Sequence, residues 1–170
     1  VAMVDARGGF LFLKDETTRR LVPLQHINLT DTETGLLENR DLLLQMRGVL
    51  ERPNALTIDG RLLPPGFSAR HMLLAAMGDI GFIGVLDKES RKGVLPFSEE
   101  DGHLLELMAR QAGSALSNAR LYRRMAEERN LNQSIVSSIA GGVISTNLEG
   151  AISRTNPEIK RLFGDEQTFY

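Results

Sequence analysis

Few residues of this chain have types and spacings that carry chemistry. It has three histidines, His26, His71 and His103, and no two sit at the spacing of metal ligands. There is no cysteine, which excludes disulfides, thiolate metal sites, cysteine nucleophiles and thioether-linked cofactors together. No serine lies in a Gly-x-Ser-x-Gly setting. Asp15, Asp59 and Asp79 fall in or beside turns, where aspartate is expected to bond its local backbone rather than form a catalytic pair. Gly78, Gly81 and Gly84 are three apart but precede no helix, so they form no phosphate-cradling loop. They read instead as a strand needing small residues where a helix crosses it. From these residues neither a catalytic group nor a metal site can be argued.

Composition agrees with a folded domain. Of 170 residues, 42% are hydrophobic and 25% charged, enough for one cored domain plus an extension. The net charge of −2 gives no basic face for nucleic acid. No apolar run is long enough to span a bilayer, so no membrane insertion is expected, and the lack of cysteine fits a reducing cytoplasm. Val1 is not a natural start, and no signal-peptide pattern precedes it, so the chain is expected to be a piece of a longer protein.

The elements that must position any site are legible from spacing. Residues 10–14 read as a strand apolar on both faces and therefore central. Residues 21–27 read as its hairpin partner, with Pro23 marking an edge or a bulge. Residues 28–34 read as a polar loop. Residues 36–50 have helical spacing through Leu36, Leu37, Leu43, Leu44, Val49 and Leu50, closed by Pro53. Residues 55–58, 70–77 and 80–87 are strands, the last two a hairpin across Gly78-Asp79, and residues 88–96 a charged loop. The fold class expected is α+β, an antiparallel sheet with helices on its faces in α/β/α-type layers.

From residue 98 to about 139 the sequence predicts one long helix, or two end to end. Ser98 with Asp101 is a capping-box-like start. Ala112, Ala115, Ala119, Tyr122 and Ala126 recur in steps of three and four, a seam that a second helix could approach closely. The same residues could instead pack the helix onto its own sheet, which suits the first half better than the second. Arg129 and Gln133 interrupt the seam, so the helix either shifts register or breaks near Asn130. Residues 143–146 and 151–154 read as strand, turn, strand, and Asn156-Pro157 opens a helix ending at Gly164.

Residues 81–88, Phe97-Ser-Glu-Glu-Asp101 and residues 104–122 resemble the C-terminal half of a GAF domain, and residues 5–15 resemble that family's first strand. The resemblance covers residues 1–126 without the family's N-terminal helix. Cyclic-nucleotide-binding members carry an Asn-Lys…Phe-x-x-x-Asp-Glu signature. Lys88, Phe97 and Asp101 match it, while Asp87 and Gly102 depart from it. The resemblance implies a structural Lys88–Asp101 ion pair tying the loop to the helix start. Ligands of GAF-like domains bind under a roof that here would be residues 42–50 and 59–71. By position this makes Met46, Arg47, Leu50, Phe67, Arg70 and His71 the candidates, with core filling as the other reading. The resemblance leaves room for a small-molecule ligand, of unknown identity. The missing cysteine excludes a covalently linked bilin and the cysteine chemistry of GAF-like free-methionine sulfoxide reductases.

Residues 141–157, followed by Leu162-Phe163-Gly164, resemble the opening of a PAS domain. The expected organisation is a GAF-like sensor at 1–117, a signalling and dimerisation helix at 118–139, and an incomplete PAS-like segment at 140–170. That order resembles sensory histidine kinases. It implies a cytoplasmic homodimer that is not itself an enzyme and passes a signal along a parallel helix pair to an effector beyond residue 170. A nucleotide cyclase or other second-messenger enzyme, or a ligand-free scaffold, are the alternatives.

Overall fold

The structure, a computed structural model, describes residues 5–91 and 93–163. The chain forms two compact units, 1–118 and 119–170. The first unit is built on β1 (Ala6–Lys14), β2 (Leu21–Ile27), α1 (Asp31–Leu36), α2 (Arg40–Arg47), β3 (Leu56–Asp59), β4 (His71–Ala76), β5 (Gly81–Ser90) and β6 (Gly93–Leu95). A single helix, α3 (Glu99–Ser138), follows. The strands make one antiparallel sheet in the order β2-β1-β5-β4-β3, with β6 paired to β5. The class is α+β.

The interior strands bury both faces, and their two-residue period sorts the core into two layers. Phe10, Phe12, Met72, Leu74, Phe82 and Leu86 point to the side covered by Leu37, Leu42, Met46 and Val49. Leu13, Leu73, Ala75 and Val85 point to the other side, where Leu105 and Ala109 of α3 cover them. Phe12 and Phe82 stack with centroids 5.2 Å apart, and Phe10 meets both edge-on. Beside them Gly84, the register partner of Phe10, leaves the space its ring fills, since a Cβ there would collide with that ring. The strand glycines are therefore small for β1 rather than for a crossing helix. The close helix approach uses Gly113 of α3, where a Cβ would stand 2.9 Å from the Met77 carbonyl oxygen.

Pro23 lies on the edge strand, with the β1–β2 register slipping between Leu11 and Phe12. Three segments differ from their sequence reading. The polar stretch before Leu36 is not all loop, because Thr30 caps α1 in a reciprocal box with Glu33. The 36–50 helix is broken, because Asn39 accepts from the Asp41 and Leu42 N–H groups and starts α2 afresh. Its last turn, Gly48–Glu51, is a 3₁₀ helix. The loop read over 88–96 contains β6.

Helix α3 is continuous through Asn130. At its start the Ser98 N–H and hydroxyl donate to Asp101 Oδ2 (2.7 and 2.9 Å), and the Asp101 N–H returns a bond to Ser98 Oγ (3.3 Å). In the second unit, β7 (Ile144–Thr146) and β8 (Ile152–Thr155) form a hairpin, followed by α4 (Pro157–Phe163). The buried Asn156 side chain ties this unit together. It accepts from the Val143 N–H (2.9 Å) and donates to the Gly141 carbonyl (2.9 Å). The helix end read at Gly164 lies outside the described residues.

Candidate functional site

Two polar constructions and one cavity are the chemically distinctive places of the first unit. The first construction is centred on Glu33, which is fully buried. Its Oε1 accepts from Arg7 Nη2 (2.8 Å) and Ser68 Oγ (2.6 Å), and its Oε2 from the Thr30 N–H (3.0 Å) and Thr30 Oγ1 (3.1 Å). Burial pushes this carboxyl up, but the Arg7 guanidinium, the Ser68 hydroxyl and the Thr30 N–H outweigh it and hold it at about 2. Arg7 reaches onward to Asp87 Oδ2 at 3.3 Å, and its own pKa is raised by bonding Glu33. Asp87 Oδ1 accepts from the Arg70 and His71 N–H groups (2.7 and 3.0 Å). Asp87 has φ 47°, a left-handed conformation that aspartate and asparagine tolerate better than most residues. No buried side-chain nitrogen or oxygen lacks a partner among the described residues, so this network is saturated from within and holds the fold.

The second construction is the start of α3. Lys88 Nζ donates to both Asp101 oxygens at 2.7 Å, the ion pair that the GAF resemblance implies. Burial pushes the Asp101 pKa up, but the bonds from Lys88 and Ser98 outweigh it, for a net downward shift. Phe97 packs half-buried against the α3 layer of the core.

The cavity, of about 570 Å³, lies between the turn of the β1–β2 hairpin and the outer side of α2. Helix α2 contributes Arg40, Leu43, Leu44 and Arg47, the i, i+3, i+4 and i+7 positions of one face, while Leu42 and Met46 turn inward to the core. The hairpin contributes Lys14, Arg19, Arg20 and Leu21.

The six ligand candidates divide among three places. Met46 and Phe67 are core residues. Arg47 and Leu50 line the cavity. Arg70 and His71 stand at the Asp87 network through their backbone. The structure does not gather the six at one site, because the cap at Asn39 sets α2 with Met46 inward and Arg47 outward. His26 and His103 are exposed, and His103 Nδ1 is 3.6 Å from Glu106. Among the described residues no cluster of His, Asp and Glu could hold a metal ion, and no helix is long and apolar enough to cross a membrane.

Sequence reasoning missed the Glu33 network and the hairpin half of the cavity. Thr30-x-x-Glu33 is itself a capping-box signature, which could have placed Glu33. On α3, Ala112 is half-buried against its own sheet, whereas Ala115, Ala119, Tyr122 and Ala126 are exposed. Of the larger exposed apolar residues, Met125 lies about 100° round the helix from the middle of the exposed alanine face, and Leu121 and Ile135 lie about 140° and 180° from it, on the far side.

What the geometry defines is a class, an α+β domain with two covered sheet faces, a polar interior saturated among the described residues, and a cation-lined cavity. No protein-family model matches the chain, and no curated protein matches it.

Proposed function

We propose that this chain is the regulatory sensor and dimerisation region of a signal-transduction protein, with a histidine kinase as the effector class. One observation carries the reading. Between residues 119 and 138, α3 exposes Leu121, Tyr122, Met125, Leu131 and Ile135, more large apolar surface than a solitary helix keeps in water. A parallel pair of these helices would cover it. Arg123 and Glu127, 3.3 Å apart on the same stretch, give the pair a solvated face. The GAF-like sequence at 81–122 and the Lys88–Asp101 pair support a sensor domain, and the hairpin followed by Asn156-Pro157 supports a PAS-like segment next in line. In this reading a ligand bound to the first unit biases two packings of the helix pair, and the effector reads which one is populated.

Single cysteines at Ala119, Leu121, Met125 and Ala126 test this. Crosslinking across a dimer at 119 and 126 selects the alanine face, and at 121 and 125 the larger apolar face. A folded protein that crosslinks at none of the four ends the reading.

A further inference from the structure

The whole chain has 20 Lys and Arg against 22 Asp and Glu, yet the cavity beside α2 is lined by five cations and one carboxylate. Each wall repeats one arrangement. On α2, Arg40 and Arg47 flank Leu43 and Leu44, and on the hairpin Lys14, Arg19 and Arg20 surround Leu21. The guanidinium groups of Arg19, Arg20, Arg40 and Arg47 make no ion pair or hydrogen bond with any described residue. The single carboxylate, Glu38, pairs with none of them within 4.0 Å.

Arg19 adds an independent observation. It holds φ 59° in the tight turn where the Asp15 N–H donates to the Arg20 carbonyl (2.8 Å) and the Arg19 N–H to the Asp15 carbonyl (3.0 Å). Glycine would take this position without strain, so the chain keeps an arginine where its backbone is disfavoured.

We infer that this cavity binds a small amphiphilic anion, a phosphate or carboxylate group on an aliphatic body. Planar guanidinium groups suit the oxyanions of either group, and the four leucines suit an aliphatic chain. The volume is that of a small-molecule site. No aromatic side chain lines it, so nothing there would stack a nucleobase.

Calorimetry on the full chain tests this with n-octyl phosphate below its micellar concentration, octanoate, inorganic phosphate, octan-1-ol and anionic phosphatidylglycerol vesicles. Octyl phosphate or octanoate is expected to bind at least tenfold more tightly than inorganic phosphate, and octan-1-ol not at all. Arg20→Glu and Arg47→Glu, both at exposed positions, should each weaken binding at least tenfold. Arg19→Gly should weaken it severalfold while raising the melting temperature. Binding of inorganic phosphate as tight as of octyl phosphate, binding of vesicles alone, or Arg19→Gly and the charge reversals leaving affinity unchanged overturns the inference. It supplies the ligand end of the sensor reading and rests on that reading only there. Octyl phosphate binding without crosslinking along α3 would keep this inference and end the other, and crosslinking without binding the reverse.

Discussion

Replacing Glu33 by glutamine removes the charge from a fully buried, heavily bonded carboxylate. Glu33 accepts five donated bonds, two from Arg7, one from Ser68 and two from Thr30. A glutamine oxygen can keep one side of that set, but its amide nitrogen must then face donors on the other. A carboxyl held at about 2 in the fold against 4.5 when free stabilises the folded state by about 3 kcal/mol at neutral pH. The folded value is the lower one, so this stability is fully present above pH 4.5 and is lost as the pH falls towards 2. By about pH 3 roughly 2 kcal/mol of it is gone. Glutamine does not titrate in this range. Urea denaturation of E33Q should therefore show a deficit of about 3 kcal/mol at neutral pH that shrinks to about 1 kcal/mol near pH 3. Calorimetry at neutral pH should show the melting temperature about 10 °C lower. A deficit below about 0.5 kcal/mol at neutral pH, or one of the same size at both pH values, refutes the reasoning.

At Asp87 the two substitutions should separate. Asp87→Asn keeps a residue type that tolerates the left-handed backbone and an oxygen for the Arg70 and His71 N–H groups, and should cost about 1 kcal/mol. Asp87→Ala loses both, and should cost about 2–4 kcal/mol in the same denaturation assay, so equal costs would refute the account. Gly113→Ala should destabilise by about 1–3 kcal/mol although alanine is the better helix former, because its methyl would press on the Met77 backbone. A raised melting temperature would show that the helix shifts freely there. Lys88→Met should cost about 1 kcal/mol, because Lys88 is a quarter exposed and Ser98 still bonds Asp101. The Asp101 pKa is lowered, so this deficit belongs to pH above 3.8 and should narrow below it, which urea midpoints across that range would show.

The β4–β5 hairpin was legible because two apolar runs meet at Gly78-Asp79, and Gly78 takes φ 67° there. The edge position of β2 followed from one proline. The break at Asn39 was not legible, because leucines at 36, 37, 42, 43 and 44 offer an apolar face in either phase, so periodicity reports a helix without reporting its interruption. Strand β6 is three residues long, and only Val94 is even half-buried, too little pattern to detect. Glu33 was passed over because a carboxylate among polar neighbours reads as solvated, and what buries it comes from Arg7 and Ser68, far along the chain. Two of the cavity's lining residues were within reach, since Arg47 and Leu50 fall by position in the roof that the GAF resemblance implies. Lys14, Arg19 and Arg20 carry no local signal, because they become a wall only when the hairpin lies beside α2.

The pairing of β1 with β5, Phe10 opposite Gly84 and Phe12 opposite Phe82, joins stretches about seventy residues apart or more. The β1–β2 and β4–β5 hairpins can close as soon as their own turns form, whereas this central seam must wait for nearly the whole first unit to leave the ribosome. Until then Phe10 and Phe12 have neither the ring of Phe82 nor the space beside Gly84, and β1 keeps an open edge. The slow, aggregation-exposed interval in the birth of this protein is thus set by the distance along the chain between its first strand and its fifth.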